Sequence, residues 1–269
     1  MGIYSHRCQL RKAAKDELAD LLNDATRAII IHYSCESFYD RPDGASPRIT
    51  SIAVRNLASG QTSSFSIHQI AERQNVPRDE IETKYNALEK TMLEEFYSYV
   101  EARKDYRWVH WCMRNVNYGF AAIAHRCKVL GGTPVDIPES RLYDLARILI
   151  DLFGPGYVGH PRLTQLMEVN SISNLDFLTG ADEADAFVKK QYVRLHQSTL
   201  RKVDVMSNII GRLAAGTLKT QARKREIYGS WIGYCTEIVR DHPATVIITL
   251  LASIASIVGL LLYFFPRKG

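Results

Sequence analysis

The sequence predicts an α/β domain, built on a mixed sheet with helices packed against it, followed by one membrane-spanning helix. Short runs rich in β-branched residues, separated by turn signals, occupy the first third of the chain. Apolar residues at helical spacing dominate the rest. Near the end, no charged residue interrupts the run from Ala244 to Phe265. At about 1.5 Å per residue, this run is long enough to cross the roughly 30 Å hydrocarbon core of a bilayer.

The N-terminal part predicts one helix and then a three-stranded meander. Apolar residues recur at helical spacing over 8–26. A β-rich run over 28–33 and an alternating run over 49–57 follow, and 63–70 is the partner strand after a turn signal at Gly60.

The middle and late parts predict a fourth strand among helices. The strand is 106–111, whose aromatic and apolar residues indicate a buried position. Together with the meander, this gives the element order β-β-β-α-β-α, which is typical of a mixed sheet covered by helices. The predicted helices are 79–103, 116–130, 139–153, 161–170 and a long stretch over 182–214.

Five segments follow from this pattern. They are an N-terminal helix (1–27), the α/β domain (28–213), a basic juxtamembrane linker (214–242), the transmembrane helix (243–265) and a short tail (266–269).

The C-terminal end predicts a single-pass, tail-anchored protein with a lipid bilayer as its partner. Arg267 and Lys268 follow the span that Ala244 and Phe265 delimit. The basic segment 219–228 precedes it, and such residues favour a cytoplasmic position for the large N-terminal part. We expect a bacterial plasma membrane.

Small residues in the span predict self-association. They lie four positions apart in two pairs, Ala252 with Ser256 and Ala255 with Gly259. Since this spacing lets two helices approach closely, we expect a homo-oligomer through the transmembrane helix.

Composition excludes several classes of protein. The chain has 269 residues and a net charge of +5, of which the last three residues supply two, so net charge alone does not indicate a nucleic-acid binder. The 5 cysteines include no C-x-x-C pair, which argues against a zinc site or a disulfide framework and favours a reducing compartment. Charged residues interrupt the N-terminus, so no signal peptide is predicted.

The element order and several local phrases resemble the DEDD-type 3′–5′ exonucleases of the ribonuclease H-like fold, over residues 28–213. The phrases are Ser34-Cys35-Glu36 after the first strand, the segment from His110 to Asn115 after the fourth, and the helix from His196 to Asp204. The resemblance implies four acidic residues that hold two divalent metal ions, Mg²⁺ or Mn²⁺, for cleavage.

Few of the four acidic positions of the family hold a carboxylate in this sequence. Glu36 fills the Glu position of the first motif, but Ser34 replaces its Asp. Asn115 stands where the second Asp belongs, and the fifth residue after His196 is Arg201 rather than Asp. The candidate catalytic residues are therefore Glu36, Asn115, His196 and Asp204, with no metal ligand set assigned.

The charge of the site favours binding over cleavage. Two divalent cations in one pocket need several anionic oxygens. Ser34, Ser198, Arg201 and Lys202 would instead suit a phosphate-bearing ligand. We expect a domain without most metal-binding carboxylates that binds nucleic acid, a nucleotide or a protein partner at the membrane, as an oligomerising effector. The alternatives are an active membrane-tethered exonuclease that uses Mg²⁺ or Mn²⁺, and a structural membrane adaptor.

Other polar and aromatic residues favour structural interpretations. Three histidines in or beside predicted elements are interpreted as core or edge residues: His32, His110 and His125. Trp108 and Trp111 suit a sheet core more than base stacking, and Cys35 suits a buried thiol.

Overall fold

The computed structural model describes residues 3–36, 46–114 and 118–229, and Ile254 and Ser256 as helical positions. Nine helices are found in these ranges: α1 Ile3–Asn23, α2 Ile67–Arg73, α3 Tyr85–Glu101, α4 Phe120–Val129, α5 Leu145–Phe153, α6 Arg162–Val169, α7 Gly180–Val188, α8 Tyr192–Ala214 and α9 Lys224–Tyr228. The strands of the same ranges are β1 Ala28–Cys35, β2 Ile49–Asn56, β3 Thr62–Ser66, β4 Arg107–His110 and β5 Leu142–Asp144.

The five strands form one mixed sheet in the order β3-β2-β1-β4-β5. Strand β2 is antiparallel to β1 and to β3, whereas β4 is parallel to β1 and to β5. The predicted mixed α/β fold, its meander and its buried fourth strand are confirmed. The carboxyl ends of β1, β4 and β5 therefore meet at one edge of the sheet.

Two hydrophobic clusters cover the two faces of the sheet. On one face, Ile29, Ile31 and Tyr33 pack with apolar residues of α2, α3 and α4. On the other face, Ile30 and Ala53 pack with residues of α1, α5 and α6. Helix α8 contributes to both clusters, first through Tyr192 and Leu195 and then through a run from Val203 to Ile210. The part of α8 between these two contributions is polar and lies over the sheet.

Three predicted elements differ from the structure. The predicted strand 63–70 ends at Ser66, whose hydroxyl bonds the side chains of His68 and Gln69 as α2 begins. The predicted helix 139–153 contains β5, and the side chain of Asp144 caps α5 by accepting the Ala146 N–H. The stretch 182–214 is two helices, because Lys190 between them has a positive φ of 56°.

No helix among the described residues combines the length and the apolar character that a bilayer-crossing segment needs. The predicted span 243–265, with Ala244 and Phe265, lies outside them apart from Ile254 and Ser256. Arg267 and Lys268 also lie outside the described residues.

Candidate functional site

A buried polar cluster lies between the carboxyl half of β1 and the middle of α8. We define it by five side chains: His32, Ser34, Glu183, Ser198 and Lys202. His32 and Ser34 follow Ile30 at every second position of β1, so they point to the face that the later part of α8 covers. All five residues are buried, Lys202 at 6% and Glu183 at 2% exposure.

An ion pair and a hydroxyl organise this cluster. The Lys202 ammonium lies 2.8 Å from Oε1 of Glu183. The Ser198 hydroxyl donates to the same Oε1 at 3.1 Å and accepts the Leu178 N–H at 3.1 Å. A reciprocal pair of bonds between Thr179 and Asp182 caps the start of α7, which fixes the turn that carries Glu183.

The polar side chains that β1 contributes to the cluster lack hydrogen-bond partners. Both ring nitrogens of His32 and the hydroxyl of Ser34 are buried with no hydrogen-bond partner within the described ranges. Burial, and then the nearby positive charge of Lys202, hold the pKa of His32 well below its ordinary value. His32 is therefore a neutral, buried ring at neutral pH, although buried polar groups in proteins are ordinarily paired.

A second buried histidine, His110, lies at the end of β4, beside the end of β5. His110 accepts the Met113 N–H at Nδ1, while its Nε2 has no partner in the part of the chain described. Burial lowers the pKa of His110 to about 4, although Asp144 opposes the shift. Besides capping α5, Asp144 accepts the Cys112 N–H at 3.2 Å, so its oxygens serve the local backbone.

Glu36 is tied to Arg48. The Nε of Arg48 lies 3.1 Å from one carboxylate oxygen of Glu36, and its Nη2 lies 3.2 Å from the other. The same guanidinium also bonds Glu82 at 2.7 Å and lies over the ring of Tyr85. Arg48 is therefore shared between two carboxylates, and it engages both oxygens of Glu36 in a bidentate pair.

The other predicted catalytic residues lie apart on α8. The His196 ring lies 5.0 Å from the His68 ring, and burial followed by the His68 charge lowers the pKa of His196 to about 4. Asp204 pairs with Arg201 and lies 3.8 Å from Arg55 of β2. Arg201 also donates to the Ser173 carbonyl.

Of the predicted site residues, the structure brings Ser34, Ser198 and Lys202 into one cluster with His32. Glu36, His196, Arg201 and Asp204 have other partners, and Asn115 lies outside the described residues. Within the described residues, no group of three or more His, Cys, Asp or Glu side chains is placed to hold a metal ion. Trp108 is fully buried in the sheet core and cannot stack a base.

A second feature is an open surface groove of about 720 Å³ at the start of α8. We call it the α8 groove. Its charged lining residues are Arg78, Asp79, Asp176, Lys189, Lys190 and Arg194. Lys189 pairs with Asp185, whereas Arg78 and Lys190 have no ion pair within the described residues. The aliphatic side chains of Leu175 and Val188 next to it are 71% and 78% exposed.

Sequence reasoning missed the partners of the predicted residues. Glu183, which pairs with Lys202, and Arg48, which pairs with Glu36, belong to no motif. The basic residues around 189–194 are a visible local signal, since three cations lie within six positions.

Comparison of the chain with protein-family models, with curated proteins and with solved structures found no match in any of the three.

Proposed function

We propose that this chain is a membrane-anchored domain of the ribonuclease H-like type that binds a single-stranded nucleic acid through its phosphates and does not cleave it. The observation that carries the proposal is the Lys202–Glu183 ion pair, which lies beside the carboxyl half of β1. In the exonucleases that the sequence resembles, metal-binding carboxylates belong at this strand.

The fold supports the first part of this proposal. The sheet begins with an antiparallel meander and continues through helices to strands parallel with β1. This element order is the one on which the sequence resemblance rests.

The charges of the cluster support the loss of cleavage. Glu183 is paired with Lys202, and Glu36 is paired with Arg48. The remaining strand side chains, His32 and Ser34, are neutral. Two divalent cations would repel each other and lose hydration in this site without anionic oxygens to offset both costs. The Glu183 carboxylate balances the charge of the buried Lys202 ammonium, so it offsets none of the charge of a metal ion.

The α8 groove supports the binding of an extended anion. Arg78, Lys190 and Arg194 line it without a carboxylate ion pair among the described residues. Arginine and lysine at an open surface are the groups that contact phosphates in sequence-independent binding. The aspartates at positions 79 and 176 reduce the local charge, so the affinity should be moderate and sensitive to salt.

The position of the groove suits a ligand away from the bilayer. The groove lies at the first turns of α8, and the last turn of this helix is about 20 Å away along its axis. The chain leaves α8 at that far end, and α9 then packs against α1 and α5. A membrane anchor beyond residue 229 would therefore follow a part of the domain distant from the groove.

The test is a binding measurement on the full chain in nanodiscs of neutral lipid, with fluorescein-labelled oligo(dT) in EDTA. We expect the fluorescence anisotropy to rise with a dissociation constant in the micromolar range. Three phosphate contacts predict a slope of about −2 in log affinity against log salt for a single strand. The triple variant Arg78→Gln/Lys190→Gln/Arg194→Gln should lose at least about tenfold in affinity and most of this slope.

The matched control is Lys12→Gln/Arg73→Gln/Lys104→Gln, which removes the same charge from exposed sites outside the groove. It should change the affinity by less than about twofold. Equal losses of oligo(dT) affinity in the two triple variants, or no binding by the natural chain, would reject the groove as a nucleic-acid site. A protein partner would then be the remaining hypothesis.

A further inference from the structure

A pocket of about 320 Å³ lies at the edge of the sheet opposite to the buried polar cluster. It is formed where β2 ends, where β3 begins and where the chain enters β4. The side chains that matter for its chemistry are Asn56, Gln61, Ser63, Tyr99, Arg103 and Tyr106. Its volume lies in the range of small-molecule sites.

One wall of this pocket is rigid. The side-chain Oδ1 of Asn56 accepts the N–H groups of Ala58 and Ser59, and its Nδ2 donates to the Thr26 carbonyl at 2.7 Å. These bonds fix the turn between β2 and β3, so the pocket is formed before any ligand arrives.

Several polar groups in the pocket have no side-chain hydrogen bond within the described residues. They are the Gln61 amide, the Ser63 hydroxyl and the phenol groups of Tyr99 and Tyr106. Each of them can donate and accept, which matches the hydroxyl groups of a ligand.

Arg103 supplies the positive charge. Its Cζ lies 3.8 Å from the centroid of the Tyr99 ring, and its Nη1 donates to the Tyr99 carbonyl at 3.4 Å. No carboxylate of the described chain forms an ion pair with it. The ring stacking holds the guanidinium in place, and its free N–H groups suit the bidentate binding of an oxyanion.

We propose that this pocket binds a small hydroxylated molecule that bears one oxyanion group, a phosphate or a carboxylate. The oxyanion pairs with Arg103, and the hydroxyl groups bond Gln61, Ser63 and the two phenols. This site is separate from the α8 groove and does not depend on the nucleic-acid proposal.

The test uses calorimetric titration of the full chain in neutral nanodiscs with ribose 5-phosphate, glucuronate, ribose and inorganic phosphate. We expect one of the two hydroxylated oxyanions to bind with a dissociation constant on the order of 1 mM or lower. Ribose and inorganic phosphate should each bind at least about tenfold more weakly, because each lacks half of the matched groups. Comparison of ribose 5-phosphate with glucuronate distinguishes a phosphate ligand from a carboxylate ligand.

Arg103→Gln should weaken this binding at least about tenfold. The matched control is Arg27→Gln, which removes the same charge from a guanidinium that lies over the ring of Tyr106 but does not line the pocket. Ser63→Leu, which fills the pocket, should also abolish binding, whereas the triple variant of the α8 groove should retain it.

Three results would overturn the proposal. The first is no saturable binding of either oxyanion up to about 10 mM. The second is an equal loss in Arg103→Gln and Arg27→Gln. The third is inorganic phosphate binding as tightly as ribose 5-phosphate.

Discussion

Two buried ion pairs among the described residues differ in their surroundings. Arg126 of α4 pairs with Glu89 of α3, and both are almost fully buried. The Glu89 carboxylate also accepts the Ile49 N–H at 2.7 Å, and Arg126 also donates to Asn86 at 2.8 Å. The Lys202–Glu183 pair is equally buried, but the neighbouring His32 and Ser34 have unpartnered polar atoms.

The difference separates a structural network from a candidate site. The Arg126–Glu89 pair joins α3, α4 and the start of β2, and none of its buried side-chain atoms lacks a partner. Burial raises the pKa of Glu89, although Arg126 opposes this shift. Beside the Lys202–Glu183 pair, by contrast, both ring nitrogens of His32 and the hydroxyl of Ser34 have no hydrogen-bond partner among the described residues. Four variants test this distinction.

The largest effect should come from Arg126→Met. This substitution leaves Glu89 buried beside the Ile49 N–H without its cation, and breaking a buried pair in this way costs about 3–5 kcal/mol. Urea unfolding monitored by circular dichroism measures the loss. A loss below about 1 kcal/mol would contradict the structural role assigned to this pair.

Lys202→Met should destabilise the domain less, by about 3 kcal/mol, the lower end of the cost of breaking a buried pair. Ser198 still donates to Glu183 in this variant, and the positive charge that lowers the pKa of His32 is removed. The same urea titration provides the comparison.

The double variants sharpen the result. Lys202→Met/Glu183→Leu should recover most of the stability, because the Ser198 hydroxyl can rotate from Glu183 to a backbone carbonyl one turn earlier in α8. Arg126→Met/Glu89→Leu should not, because the Ile49 N–H is fixed and loses its acceptor. Equal recovery in both double variants would remove the distinction between the two pairs.

Lowering the pH should reduce the free energy of unfolding of the domain because of His196 on α8. Its pKa is about 4 in the folded protein and about 6.5 when unfolded, so the unfolded chain binds more protons between these values. The stability is fully present above pH 6.5 and is lost as the pH falls toward 4. Between pH 7 and 5 the natural chain should lose about 2 kcal/mol more than His196→Asn.

The control for this pH effect is His125→Asn, since His125 is exposed. Its stability should fall with acid as steeply as that of the natural chain. A His196→Asn variant with the same pH dependence as the natural chain would show that the pKa of His196 is the same in the folded and the unfolded protein, which would contradict the lowered folded value.

The smallest effect is expected for Asp204→Asn. Asp204 is half-buried and pairs with Arg201 and Arg55 near the surface, and such pairs contribute about 1 kcal/mol or less. Oligo(dT) affinity should stay within about twofold of the natural value. A large loss of binding would show that the ligand reaches this part of α8 as well.

The sequence predicts the regular parts of the fold because their patterns are local. The strands around Ile30, Ile52 and Val109 show as β-rich or alternating runs, and the helices as periodic ones. The sequence does not predict strand β5, because this strand has only three residues and no turn signal separates it from α5. The end of β3 escapes prediction because the same apolar residues suit a strand and the helix that follows it.

The candidate site is less predictable, because its charges are set by pairs distant in sequence. Ser34, Ser198 and Lys202 are recognisable from the resemblance. Glu183 and Arg48 are ordinary charged residues until the fold places them against Lys202 and Glu36. The pairing decides whether a carboxylate is available to a metal ion, so cleavage cannot be judged from motif positions alone.

Binding without cleavage can be tested directly by incubating the full chain in neutral nanodiscs with end-labelled oligo(dT) and Mn²⁺, and by following both complex formation and strand length. We expect a salt-sensitive complex in which the strand stays intact, both for the natural chain and for Glu36→Gln. Shortening of the strand by the natural chain, abolished in Glu36→Gln, would contradict this expectation and establish a membrane-tethered nuclease.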